Sequence, residues 1–294
     1  MGQTPLVPGL SAPLPAEIKV TSNHLTLDVK IDGAGPFRFV VDTGADRSIL
    51  AEDVATTLGL QLGKTVLVEG IVRTLPARTV PIRELTFGSV TCTDLSVPVL
   101  PRTLLQADGY LGLDTIGGHR VVFDFKNRVM EVLEPLPSSF LSHGIANESR
   151  IPAPGFGGHL RAMNCRVDGV STVAFIDTGA EVSAGNPPLL AALIERNAVY
   201  NNPRSITLSG ITGGSSLGRV VQVGKISLYD LEFMECELAI ADLQVFKIWD
   251  LTDKPALLIG LNFLREFSRV LIDYGRKEIR MNLATANHWV NRRG

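Results

Sequence analysis

Phe39-Val40-Val41-Asp42-Thr43-Gly44-Ala45 is an apolar run that delivers one carboxylate into a Thr-Gly turn followed by alanine. The same arrangement recurs as Phe175-Ile176-Asp177-Thr178-Gly179-Ala180. A lone Asp-Thr-Gly says little, because Asp and Gly are ordinary turn residues. Two copies carry an argument if their surroundings also match, and here they do.

Upstream of the first copy, Leu25, Leu27, Val29 and Ile31 alternate with Thr26, Asp28 and Lys30, the period of a half-buried strand. Asp32-Gly33-Ala34-Gly35-Pro36 then turns the chain, and Phe37 to Val41 returns as the partner strand. The second copy repeats this with Leu160 to Val167, the Asp168-Gly169 turn and Thr172 to Ile176. Downstream, Ala51 to Leu58 has helix-forming composition with Gly59 at the C-cap position, and Asn186 to Asn197 is its counterpart, with Pro187 near the first turn. Strands follow at 66–72 and 79–87 around the tip Gly70 to Pro76, and at 205–211 and 220–228 around Thr212-Gly213-Gly214-Ser215. Val90 to Val99 matches Leu231 to Ile240, Tyr110-Leu111-Gly112 matches Leu258-Ile259-Gly260, and each half closes with a hairpin, at 121–133 and 270–281.

A repeat of this length is too long for a solenoid and describes two homologous lobes related by a pseudo-twofold axis. The Pro-rich, aperiodic stretch containing Pro135, Pro137, Pro152 and Pro154 separates them. The expected organisation is an arm at 1–22, lobes at 23–134 and 159–284, a linker at 135–158 and a solvated tail at 285–294. The fold class is mainly β, with two barrel-like lobes and short helices.

An axis passing between the two turns would bring Asp42 and Asp177 face to face. Paired carboxyls cannot both ionise cheaply, so they share a proton and titrate together. One then serves as base toward a water held between them while the other, protonated, polarises a peptide carbonyl. Gly44 and Gly179 would turn tightly and offer N–H groups, and the hydroxyls of Thr43 and Thr178 would brace the turns across the axis, with Ala45 and Ala180 completing each loop. The tips Gly70-Ile71-Val72-Arg73 and Gly210-Ile211-Thr212-Gly213 would act as flaps over an extended peptide.

Other classes find no support. The chain has 294 residues, 45% hydrophobic and 20% charged, with a net charge of -2 and no long basic cluster, which argues against nucleic acid as a partner. No run of about 18 apolar residues marks a membrane span, and no signal-peptide pattern is visible in this chain. Cys92, Cys165 and Cys236 are widely separated and read as free, buried thiols. The five histidines show no metal-ligand spacing, so no metal is expected, and His119, His159 and His288 read as surface or capping residues. The glycines at 210–218 lack the Gly-Lys-Ser/Thr ending of a phosphate loop, and no Gly-x-Ser-x-Gly elbow is present.

Asp42-Thr43-Gly44-Ala45-Asp46-Arg47-Ser48-Ile49-Leu50, with the apolar-apolar-Gly of Tyr110-Leu111-Gly112, resembles the retropepsin-like aspartic proteases of the pepsin and retropepsin clan. The resemblance recurs at Asp177 to Ala180 and Leu258-Ile259-Gly260, and Leu258 to Met281 is similar to bacterial members, including the periplasmic type. It implies a bilobal acid-protease fold, an aspartic-type endopeptidase with a protein or peptide substrate, no metal or organic cofactor, and apolar-Gly elements packed beneath each catalytic loop. It also favours a periplasmic or cell-envelope location. Alanine after each Asp-Thr-Gly resembles the retroviral pattern and implies activity nearer neutral pH. Retropepsins are usually homodimers of one lobe, whereas this chain carries both, so one monomer is expected to suffice. Neither flap tip carries the tyrosine of pepsin-like flaps, and Glu181 to Gly185 is a less regular match. A non-catalytic or latent peptide-binding module with the same cleft is the alternative.

Overall fold

Alternation makes His24–Ile31 a strand that buries Leu25, Leu27, Val29 and Ile31 on one face. Asp32 (φ 49°) and Gly33 (φ 82°) then form a tight turn of left-handed residues, the Asp-Gly hairpin geometry, and Asp168 (φ 44°) with Gly169 (φ 82°) repeats it. Each turn aspartate also accepts backbone N–H groups from a crossing strand: Asp32 from Glu84 at 2.8 Å, Asp168 from Gly224 and Lys225 at 2.8 Å each. The computed structural model describes residues 16–17, 19–21, 24–135, 148–156, 158–199, 203–283 and 290–292.

The first half forms an eight-stranded sheet. Its neighbour order is Lys19–Thr21, His24–Ile31, Ala34–Val41, Gly109–Leu111, Ile49–Ala51, Val90–Leu100, Thr74–Phe87 and Thr65–Glu69. The second half repeats this order with His159–Val167, Val170–Ile176, Ala256–Ile259, Ala184–Gly185, Leu231–Ile240, Ser215–Leu228 and Arg204–Ser209, flanked by Gly155–Phe156. Each sheet curls back on itself: His24–Ile31 also pairs with Thr74–Phe87, and His159–Val167 with Ser215–Leu228. The result is two barrel-like β lobes, a bilobal acid-protease fold. Helices are short and sit where expected, at Glu52–Thr57 and Pro187–Glu195, the latter capped by Asn186 Oδ1 accepting from Leu189 N at 3.1 Å.

A six-stranded sheet joins the halves. Arg120–Asp124 pairs antiparallel with Phe267–Asp273, flanked by Val129–Leu133 and Ala16–Glu17 on one side and by Glu278–Leu283 and Glu148–Pro152 on the other. One face carries Val121, Phe123, Val270, Ile272, Ile279 and Met281, all buried. Truncating Phe123 in that layer would cost about 3–5 kcal/mol. The closing hairpins therefore do more than end each lobe; they build the platform that fixes one lobe against the other.

Two departures from the sequence reading follow from unpaired strand edges. Val290–Arg292, expected as solvated tail, adds to the edge of Leu231–Ile240 with Phe233 opposite Val290, and Val290 is buried. Glu148–Pro152 and Gly155–Phe156 lie within the stretch expected as linker. Most of the expected arm and residues 136–147 lie outside the described residues, as does His288. Cys165 and Cys236 are buried free thiols and Cys92 a partly buried one. No described helix is long and apolar enough to cross a membrane.

Candidate active site

Each Asp-Thr-Gly loop leaves the end of a strand flanked by a short parallel neighbour. Val41 lies beside Leu111, and the Asp42 N–H donates to the Leu111 carbonyl at 3.0 Å. Ile176 lies beside Ile259, and the Asp177 N–H donates to the Ile259 carbonyl at 2.9 Å. Within the loops the Gly44 N–H donates to Asp42 Oδ1 at 2.9 Å and the Gly179 N–H to Asp177 Oδ1 at 2.8 Å.

The threonines cross between lobes. Thr43 N–H donates to Thr178 Oγ1 at 3.1 Å and Thr178 N–H to Thr43 Oγ1 at 3.0 Å. Each hydroxyl then donates to the opposite strand end, Thr43 Oγ1 to the Ile176 carbonyl at 3.1 Å and Thr178 Oγ1 to the Val41 carbonyl at 2.7 Å. Each glycine packs on the other lobe's carboxyl. A Cβ on Gly44 would come within 2.6 Å of Asp177 Cγ, and one on Gly179 would overlap Asp42 Cγ. Glycine is required here by close approach rather than by turn geometry.

The sequence-derived pair is thereby brought together. Asp42 and Asp177 are 9% and 4% exposed, each carboxyl packs on the glycine of the other loop, and both line one cavity. Burial, then the Asp177 charge, pushes Asp42 well above the usual carboxylate range. Burial also raises Asp177, against the Gly179 N–H, the Asp42 hydrogen bond and the positive field of His159. Such a pair holds one proton between two carboxyls.

Beneath each loop lies a support that the sequence reading did not isolate. Ser48 Oγ accepts from Gly112 N–H at 3.1 Å and donates to Asp114 Oδ1 at 2.7 Å, and Ser48 N–H donates to the same oxygen at 2.8 Å. In the other lobe Ser183 Oγ accepts from Gly260 N–H at 2.9 Å and donates to Asn262 Oδ1 at 2.7 Å, with Ser183 N–H at 2.9 Å. The signal was present: a serine six residues after each aspartate, and an Asp or Asn two residues after each apolar-Gly pair. Glu181 to Gly185, irregular in sequence, thus matches Asp46 to Leu50 in backbone role.

The two carboxyls open into a cavity of about 530 Å³ between the lobes. Ala45, Ala180, Gly70, Ile71, Gly210 and Ile211 line it. The remaining tip residues make a contact between the two hairpin tips. Arg73 Nε donates to the Thr212 carbonyl at 2.8 Å, and Thr212 Oγ1 donates to the Arg73 carbonyl at 2.7 Å. Val72 and Arg73 pack against Gly214 and Gly213, both in left-handed conformation at φ 78° and 77°. Apolar walls come from both lobes, among them Leu105 and Tyr110 from the first and Leu208, Val245 and Trp249 from the second.

His159 corrects the sequence reading. It is neither a surface nor a capping residue but a buried one lining the same cavity, with its ring 5.4 Å from that of Trp249. It went unrecognised because its partners, Asp46 and Thr43, lie more than 100 residues away in sequence. Among the described residues no group of three or more His, Cys, Asp or Glu is placed to hold a metal ion.

Comparison with protein families matches the aspartyl protease family over residues 27–115 and 163–263, one stretch in each lobe. The chain belongs to that family and is accordingly a peptidase with a peptide substrate. Comparison with curated proteins returned no match.

Proposed function

We propose that the chain is an aspartic endopeptidase that cleaves an extended polypeptide in the cleft between its lobes, 23–134 and 159–284, with Asp42 and Asp177 as the catalytic pair. The observation that carries this reading is the burial of the two carboxyls, each packed on the glycine of the other loop and held by the glycine N–H of its own. One ionised carboxyl takes a proton from water as the water oxygen attacks the scissile carbonyl carbon. The protonated carboxyl donates to the carbonyl oxygen. Collapse of the tetrahedral diol breaks the C–N bond: the protonated carboxyl gives its proton to the leaving amine while a diol hydroxyl gives its own to the other carboxylate, so the pair stays singly protonated. The proton balance closes on two carboxyls and one water.

The flaps admit the chain by parting at the Arg73–Thr212 contact and close over it, presenting backbone groups to an extended strand. Both halves of the site come from one chain, so a monomer suffices. The test is cleavage of a random peptide library from acidic to neutral pH by wild type, Asp42→Asn and Asp177→Asn. Wild-type cleavage lost in both variants supports the reading, and activity surviving either substitution overturns it. Peptide binding without cleavage by any form supports the non-catalytic binding module instead.

A further inference from the structure

The imidazole of His159 reaches from the second lobe to the first. Its Nε2 lies 3.0 Å from Asp46 Oδ1 and its Nδ1 3.3 Å from the carbonyl oxygen of Thr43, the middle residue of the first Asp-Thr-Gly. A carbonyl oxygen only accepts, so Nδ1 carries a proton. Asp46 has a largely exposed side chain, 64%, and the His159 hydrogen bond holds its carboxyl below the usual range, so Asp46 is ionised and Nε2 carries a proton as well. A ring with both nitrogens protonated is a cation, and this one is 8% exposed.

We propose that His159 is a positioning residue: its imidazolium, clamped between Asp46 and the Thr43 carbonyl, fixes the first loop against the second lobe and keeps a positive charge in the cavity that both carboxyls line. The inference rests on the catalytic reading of the two aspartates. Burial pulls the ring toward neutrality, but the Asp46 hydrogen bond and charge, the Thr43 carbonyl and the Asp177 charge together lift it above its ordinary value. Its positive charge lowers Asp177, and because the two carboxyls titrate together the effect is read in both steps of the pair. The charged groups facing the ring are Asp46, with Arg47 beside it, and Asp177; Trp249, packed on the ring from the end of helix Gln244–Ile248, is neutral.

The backbone register supplies an internal control. Thr26 pairs with Val40 and Arg161 with Phe175, each two residues before its aspartate, so His24 takes in the first lobe the backbone place of His159. The experiment is a carboxyl 13C NMR titration of the full chain, with the aspartate signals assigned through Asp42→Asn and Asp177→Asn. In His159→Gln both steps of the pair rise by about one pH unit, and the acid limb of kcat/KM rises with them. His159→Arg, or His159→Lys should the arginine variant not fold, keeps the wild-type steps, and His24→Gln leaves them in place. Unmoved steps in His159→Gln, equal shifts in the neutral and charged variants, or the same shift in His24→Gln would each overturn the proposal. Failure of the catalytic reading would show separately, as a wild type that cleaves nothing while its carboxyls still titrate.

Discussion

The two Asp-Thr-Gly loops share a backbone and differ in charge. The glycine, threonine and serine hydrogen bonds that hold the first loop recur in the second, whereas the Thr43 carbonyl alone meets a histidine. Yet Asp46-Arg47 in the first stands where Glu181-Val182 stands in the second, and Asp114 where Asn262 does. Backbone donors and short hydroxyls therefore hold the geometry, and the side chains around them are free to set the electrostatics. The lobes can diverge in charge without losing their symmetry of position.

The largest test of that division replaces a member of the pair. Asp42→Asn and Asp177→Asn should each lower kcat at least about 10³-fold in a peptide-cleavage assay, while the loops keep their shape. Stability should move the other way. Both carboxyls titrate higher in the folded chain than in the unfolded one, so the folded chain holds more protons across that interval and loses stability as pH rises through it. Asparagine removes that loss, and the melting temperature at neutral pH should increase.

The bracing threonines test symmetry. Thr43→Val and Thr178→Val each strand one buried N–H and one buried carbonyl, costing about 1–3 kcal/mol by denaturant unfolding, and the two costs should agree. A large inequality would show that one lobe dominates the docking. At the hairpin tips, Arg73→Ala removes the side-chain bond to the Thr212 carbonyl and, if the tips close over substrate as proposed, should raise KM several-fold in a peptide-cleavage assay.

The Asp46–His159 bond exists on one side only as described, and its contribution should follow pH. Asp46 is lowered by the His159 hydrogen bond, so its share is present above the unfolded carboxylate value and is lost as pH falls through the depressed one. His159 is raised, so its share is present below the unfolded imidazole value and is lost as pH rises through the elevated one. The bond contributes fully between about pH 4 and pH 6.5. His159→Gln should flatten that part of the melting-temperature profile.

The smallest effect is expected at Asp114. The residue is exposed over part of its surface, but desolvation of its carboxyl outweighs the Ser48 hydrogen bonds and raises it. Asn262 makes the same bonds without a charge, so Asp114→Asn should change stability by less than about 0.5 kcal/mol and leave kcat/KM unaltered. A substantial loss would mean that the first loop depends on the carboxylate itself.

Local pattern carried the lobes, the hairpins and the pair of aspartates, because alternation, Asp-Gly turns and the doubled motif are written in short windows of sequence. The six-stranded platform was not legible: pairing Val122 with Leu271 depends on partners far apart in the chain, and nothing in either hairpin alone announces the other. Val290–Arg292 was misread for a related reason, since three residues gain strand character only from the edge they meet. His159 was lost because a single histidine at a strand start has no period or spacing to mark it. The two hairpin tips are legible in sequence, but the meeting of Arg73 with Thr212 is not, since it needs both lobes in position.

The central claim is that the two loops form one site, and the most direct measurement is a double-mutant cycle on the pair. Cleavage of one peptide substrate by wild type, Asp42→Asn, Asp177→Asn and the double variant would be compared at the optimal pH. The account predicts that each single substitution already reaches the floor, so that the double variant loses nothing further. Independent, additive losses, or activity retained by either single variant, would contradict it.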